Sequence, residues 1–112
     1  MYTGECIFCR IASGKAGTQL LYEDEDAVAF KDINPQAPFH ILVIPKKHFE
    51  NLKAVDDERL MGHLFTVASS VARELGISDF RTVINTGPKS GQTVYHLHIH
   101  LLGGRYMMWP PG

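Results

Sequence analysis

The sequence predicts an α+β fold with a mainly antiparallel sheet of five strands, one long helix and a short N-terminal helix. Two observations carry this expectation. Five short β-type runs punctuate the chain, and a single stretch of helical periodicity is inserted before the last two of them. Neither linker composition nor an internal repeat divides the 112 residues, so one domain over 1–112 is expected.

The elements follow in order. "CIFCRIASG" reads as a short helix or helical turn stopped by Gly14. "QLLYED" and "DAVAFKD" are β-type runs separated by an acidic turn, and "DINPQAP" is a turn-rich connection. "FHILVIPKKH" has the dense apolar character of a buried strand and is closed by Pro45. From Asp56 as N-cap, Leu60, Leu64, Phe65, Ala68, Val71, Ala72 and Leu75 recur at helical spacing until Gly76. "FRTVINT" and "TVYHLHIHLLGG" supply the last two strands, joined by the loop "GPKSGQ".

With 45% hydrophobic and 21% charged residues, the composition is that of a soluble globular protein. A chain of this size buries roughly two thirds of its unfolded surface. It therefore has a core of its own, and any metal is an addition. A formal net charge of -1 and the absence of a Lys/Arg run argue against electrostatic binding to nucleic acid or anionic lipid. The N-terminus "MYTGECIFCR" lacks a charged leader followed by an apolar segment, and apolar runs such as "ILVI" are far short of a membrane span, so a cytoplasmic location is expected.

Three of the six histidines, His96, His98 and His100, occupy alternate positions of the last strand. Residues of an extended strand advance about 3.3 Å each, which puts His96 about 13 Å from His100 on one face. A solvated polar face is the ordinary reading of such alternation, but polar faces usually mix Thr, Lys, Glu and Ser. A mononuclear metal site is another, since His-x-His is a good bidentate pair. The row is long for three rings to converge on one ion. A division of labour fits better: one terminal histidine for structure or metal, the central one for chemistry, the other terminal one for substrate.

Cys6 and Cys9 in "CIFC" are a redox pair, a zinc half-site or two core cysteines. Nothing strand-like precedes them, which disfavours a thioredoxin-like role. A zinc site needs two further ligands, and His48 and the histidine row offer them. The loop "NTGPKSGQT" is not a P-loop, yet Ser90, Gly91, Gln92 and Thr93 can present backbone amides and a hydroxyl to an anion. A plain glycine-containing hairpin loop is the alternative.

"HLHIHLL", from His96 to Leu102, resembles the His-φ-His-φ-His-φ-φ signature (φ, apolar) of the histidine-triad (HIT) superfamily. "CIFCRIASG", "DINPQAPFHILVIPKKH", "VINTG" and "WPPG" resemble corresponding blocks of its nucleotide-binding branch, so the likeness covers nearly the whole chain. It implies a two-layer α+β fold, a homodimer, binding of purine nucleoside monophosphates, and hydrolysis of phosphoramidate or related bonds at the α-phosphate without an organic cofactor.

By this resemblance His98 is a nucleophile that forms a nucleotidyl-histidine. His100 and His40 lie beside the phosphate, and Asn85, Gly91 and Thr93 contact phosphate or leaving group. Serine is frequent in the branch where this chain has Thr93. Asp32, otherwise a turn residue, accepts hydrogen bonds from the ribose, and Ile7, Phe8, Ile11, Phe30 and Ile33, otherwise core residues, line an apolar base slot. Cys6, Cys9, His48 and His96 match the ligands of Cys2His2 members, whose zinc is structural. His63 matches no catalytic position and is expected at the surface.

The apolar tail "GGRYMMWPPG" either folds back over its own sheet or, by resemblance, crosses to a neighbouring subunit, bringing Trp109 near the partner's active site. Dimerisation through the long helix and a sheet edge is implied. Alternatives to a phosphoramidase are a dinucleoside polyphosphate hydrolase, a nucleotide-binding or scaffold protein with vestigial hydrolysis, and a metal-dependent hydrolase or oxygenase using His96 and His98.

Overall fold

The computed structural model describes residues 6–112. The elements are α1 (Ile7–Ala12), β1 (Tyr22–Glu23), β2 (Ala27–Lys31), β3 (Phe39–Pro45), α2 (Glu58–Glu74), β4 (Phe80–Val83) and β5 (Ile99–Gly103), with short 3-10 turns at Leu52–Ala54 and Pro88–Ser90. They form one five-stranded sheet in the order β1-β2-β3-β5-β4. Every neighbouring pair is antiparallel.

Side-chain alternation decides which face does what. Ala27, Ala29, Ile41, Val43, Ile99 and Leu101 pack with Leu60, Leu64, Val67, Ala68, Val71 and Ala72 of α2. Val28, Phe30, Leu42 and Ile44 point the other way and pack with Phe8, Ile11 and Ala12 of α1. The central strands are thus buried on both faces, which explains the unbroken apolar run of β3. Since α1 has only six residues, it covers part of its face. The histidines of β3 and β5 share that face.

Helix α2 begins one residue later than expected. Asp57, not Asp56, is the N-cap, and its carboxylate accepts the Leu60 amide at 3.1 Å. Phe65 is 42% exposed, and Val67 takes its place in the buried stripe. His63 is part-exposed, as a surface residue would be, but it is also paired: its Nε2 lies 2.6 Å from Asp24 Oδ2. The same oxygen accepts the Tyr22 hydroxyl at 2.6 Å, while Oδ1 accepts the Asp26 and Ala27 amides at 2.8 and 2.9 Å. Burial alone would raise the Asp24 carboxyl, but these hydrogen bonds outweigh it and hold the pKa at about 2. Asp24 therefore pins the β1–β2 turn to α2.

Every strand is shorter than the run that predicted it, the first and the last most of all. Only Tyr22 and Glu23 of "QLLYED" pair with β2. The last strand begins at Ile99, because upstream the Leu97 amide donates to Phe49 O at 2.7 Å instead of entering the ladder. At the far end, Gly103 permits close contact with the segment after α2. A Cβ there would lie 2.7 Å from Ile77 Cγ2.

Candidate active site and metal centre

Main-chain carbonyls decide which nitrogen of each buried ring carries its proton. His98 Nδ1 lies 2.7 Å from His96 O, and a carbonyl can only accept, so Nδ1 is the protonated nitrogen. Nε2 then keeps its lone pair, with no hydrogen bond to any described residue. Burial pushes the ring below the ordinary histidine range, the carbonyl and Asp32 opposing it in part. At neutral pH His98 is an uncharged imidazole. Its ring is seated edge-on against Phe8 at 5.1 Å and His100 at 4.8 Å between centroids.

His100 faces His40 across the β3–β5 pair. Its Nδ1 lies 2.9 Å from His40 Nε2, while its Nε2 is buried with no partner among the described residues. Burial, reinforced by His98 and His40, pushes the His100 pKa down to about 4. His40 in turn accepts the Gln36 amide on Nδ1 at 2.9 Å and places Nε2 3.4 Å from Asp32 Oδ2. Asp32 is a turn residue as well, since Oδ1 accepts the Asn34 amide at 2.8 Å.

His96 turns away from this group. Its Nε2 lies 2.8 Å from Pro45 O and so carries the proton, leaving the Nδ1 lone pair for a cluster with Cys6, Cys9 and His48. Burial, the largest cause, pushes the His96 pKa down to about 4. Nδ1 stands 3.3 Å from Cys6 Sγ, 3.5 Å from Cys9 Sγ and 3.2 Å from His48 Nδ1. Cys9 Sγ is 3.3 Å from His48 Nδ1. A tetrahedral zinc with bonds of about 2.0 Å to nitrogen and 2.3 Å to sulfur has ligand–ligand edges of about 3.3–3.8 Å. The four donors therefore fit one ion. Helix α1 supplies two of them because Cys6 is its N-cap and Cys9 lies on its first turn.

The loop before β5 is built differently from an anion nest. The amides of Ser90, Gly91 and Gln92 donate to Gly87 O, Pro88 O and Gly87 O, which corrects the expectation that they face a ligand. The Gln92 side chain is a brace: Oε1 accepts the Gly87 amide, and Nε2 donates to Glu50 O and Val94 O. Gly91 has φ +97°, and a Cβ there would lie 3.9 Å from Asn85 Nδ2, so Asn85 and Gly91 adjoin. Thr93 is exposed.

Of the five residues assigned to the base slot, Phe8, Ile11 and Phe30 are buried with α1, whereas Ile7 is 47% and Ile33 99% exposed. Trp109 joins none of the histidines. It is 79% exposed, with the Arg81 guanidinium 5.8 Å from its ring centre and donating to Met108 O. An open cleft of about 620 Å³, lined by residues including Phe39, Ile77, Phe80, Arg81 and Arg105, contains no histidine. That cleft is therefore separate from the histidine cluster. Sequence reasoning missed Gln36, which acts through its main-chain amide and has no residue-type signal, and Asp24 with His63, whose acidic-turn setting was a usable one.

Comparison with known proteins agrees with this arrangement. The HIT domain family model matches residues 13–107. An uncharacterised HIT-like protein of Synechocystis is 51% identical over 111 residues, 96% of this chain and 97% of that protein. Among solved structures, the HIT family hydrolase of Legionella pneumophila superposes with a TM-score of 0.92 at 45% identity, covering 96% of this chain and all (100%) of that one. A histidine triad protein of Clostridium difficile does so with a TM-score of 0.92 at 41% identity, covering 96% and 97%. The chain belongs to the HIT domain family.

Proposed function

We propose that this protein is a nucleotide hydrolase that cleaves purine nucleoside 5'-phosphoramidates, or related adenylates, at the α-phosphate through a nucleotidyl-His98 intermediate. The observation that carries the reading is the locked tautomer of His98, with Nδ1–H on His96 O and a bare Nε2. The Nε2 lone pair attacks phosphorus, the bond to the leaving nitrogen breaks, and the amine departs with a proton taken from solvent on the exposed Thr93 side. Positive charge that develops on the nucleotidylated ring strengthens the Nδ1–H to carbonyl bond. Water then attacks the same phosphorus and releases the nucleoside monophosphate and the free histidine.

Asp32 receives the ribose, Ile7 and Ile33 flank the base, and Asn85, Gly91 and Thr93 border the phosphate and leaving group. Phe8, Ile11 and Phe30 form the floor beneath. Such a slot, apolar with few polar groups, favours loose discrimination among purines. Incubation with adenosine 5'-phosphoramidate should release adenosine monophosphate and ammonia in equal amounts, and no turnover of any purine phosphoramidate or adenylate would reject the reading. The HIT family hydrolase of Legionella pneumophila supports hydrolysis at this coarse level.

The Cys6, Cys9, His48 and His96 centre would hold zinc in a structural role. Four protein donors close a tetrahedral ion and leave no open position for water, and His98 lies outside the set. Thiols kept as metal ligands suit a reducing, cytoplasmic setting, and no described helix is long and apolar enough to cross a membrane. A homodimer is supported by the sheet-edge position of β4 and the exposure of Phe80, Tyr106, Met108 and Trp109 beside it. In it Trp109 would approach the partner's leaving-group side. Light scattering at micromolar concentration should give twice the chain mass, and the mass of a monomer would reject this assembly.

A further inference from the structure

We infer that Cys6 and Cys9 are also an oxidant-reactive dithiol, which a peroxide closes to a disulfide, releasing the ion of the four-donor centre and unfastening α1 from the sheet. The dithiol chemistry is independent of the hydrolysis at His98, whereas the ion release rests on the proposed zinc centre. The two cysteines are not joined by a disulfide, and their sulfurs lie within 4.8 Å of one another. The Cys9 amide donates to Cys6 Sγ at 3.3 Å, so the Cys6 side chain is folded over the first turn of α1 toward Cys9. Their access differs. Cys6 is part-exposed and Cys9 is 3% exposed. An accessible thiol beside a shielded one is the arrangement of an attacked and a resolving cysteine.

The Cys6 thiolate, which ligation keeps deprotonated, attacks one oxygen of the peroxide. The O–O bond breaks, hydroxide leaves, and Cys6 becomes a sulfenic acid. The Cys9 thiolate then attacks Cys6 Sγ, so that the S–S bond forms, the S–O bond breaks and a second hydroxide leaves. Two thiolates have lost two electrons and one peroxide has gained them. His48 and His96 remain, half of the ligand set that holds a structural zinc, and the ion leaves. Their Nδ1 atoms are 3.2 Å apart. Because His96 carries its proton on Nε2, toward Pro45 O, a neutral His48 can donate from Nδ1 to His96 Nδ1, and the oxidised form keeps a hydrogen bond there.

The new bond lies within α1, whereas the thiolates it consumes tie that helix to His48, after β3, and to His96, before β5. Oxidation therefore leaves a helix of six residues held chiefly by the burial of Phe8, Ile11 and Ala12. Phe8 stands between the two cysteines in sequence, and its ring centroid is 5.1 Å from that of His98 and 5.6 Å from that of Phe30. Loosening α1 withdraws this support from the proposed base slot, and nucleotide binds less well.

The test treats the full-length, zinc-loaded protein with a small excess of hydrogen peroxide, which is removed before measurement. The tryptic peptide ending at Arg10, which holds both cysteines, should lose two hydrogens. About one zinc per oxidised chain should reach a chromogenic chelator, and amide hydrogen exchange over α1 should quicken. Affinity for adenosine monophosphate should fall by about 5- to 10-fold, the lower end of couplings between distinct sites, and dithiothreitol followed by zinc should restore the starting state. By reciprocity, saturating adenosine monophosphate should shift the dithiol–disulfide equilibrium in a glutathione buffer toward the dithiol by the same factor. Cys6→Ser, which lacks the tie beforehand, should bind adenosine monophosphate weakly before peroxide and no differently after it. Thiols that stay intact, or a Cys6 that stops at sulfenic or sulfinic acid, would overturn the dithiol assignment. A disulfide with unchanged α1 exchange and unchanged affinity would overturn the link to α1. Should Cys6→Ser fail to fold, the wild-type measurements decide the matter. Protein purified without zinc that still forms the disulfide removes the zinc centre alone. Oxidation with faster α1 exchange but no nucleotide binding in either state removes the nucleotide reading alone.

Discussion

Replacing His98 with alanine should abolish turnover of a purine phosphoramidate while leaving affinity for adenosine monophosphate largely intact. A covalent nucleophile splits one displacement into two, so its loss should reduce kcat by about 10⁴-fold or more, equivalent to about 5 kcal/mol of barrier. No neighbour can substitute. His96 Nδ1 is directed to the cysteine cluster, and the Nδ1 of His100 is already engaged by His40. The substitution also removes the ring that packs against Phe8, a loss of about 1–3 kcal/mol in stability by the usual range for buried truncations. Rates are therefore to be compared per folded molecule, with nucleotide binding as the check on folding. Near-normal turnover in His98→Ala together with inactive His100→Ala would mean that the roles have been assigned to the wrong rings.

The second large effect concerns the four-donor centre. Purified protein should carry about one zinc per chain, and Cys6→Ser should lose most of it and melt about 15 °C lower, as expected from removing several kcal/mol of ion-linked stability from a domain of this size. Cys6 is the informative position because it is also the N-cap of α1, where serine is a preferred residue. Capping survives while thiolate ligation is lost. The rate per folded molecule should fall by less than about tenfold, because the His98 hydrogen bond is to a main-chain carbonyl and not to the ion. Metal-free protein of full stability would instead identify Cys6 and Cys9 as ordinary core cysteines.

Much of the fold was legible because its signals are side-chain patterns. The apolar run of β3 and the helical spacing of α2 put both elements where the chain has them, and Gly14 and Gly76 mark helix ends, each with positive φ. The errors fall where the choice lies between equivalent neighbours or belongs to the main chain. Asp56 and Asp57 are both able to cap, and only the turn geometry selects the second. "TVYHLHIHLLGG" alternates throughout, but pairing needs a partner strand, and Leu97 finds Phe49 O instead.

The site divides in the same way. Histidines and cysteines announce themselves, and the structure gathers Cys6, Cys9, His48 and His96 into one cluster and His40, His98 and His100 into another. What the residue types do not announce is which main-chain group addresses each ring. His96 O, Pro45 O and the Gln36 amide set three tautomers, and none of these groups has a side-chain signature. The loop amides illustrate the converse. Glycine and serine suggested an anion cradle, whereas the 3-10 turn spends those amides on its own carbonyls.

The most direct measurement is rapid acid or denaturant quench of the wild-type protein mixed with adenosine 5'-phosphoramidate, followed by intact-mass and peptide mass spectrometry. The account predicts a transient gain of one adenylyl group, located on His98 within the peptide containing "HLHIH". A turning-over protein with no adduct at any quench time under conditions that preserve phosphoramidate bonds, or with the adduct on His96 or His100, would contradict it.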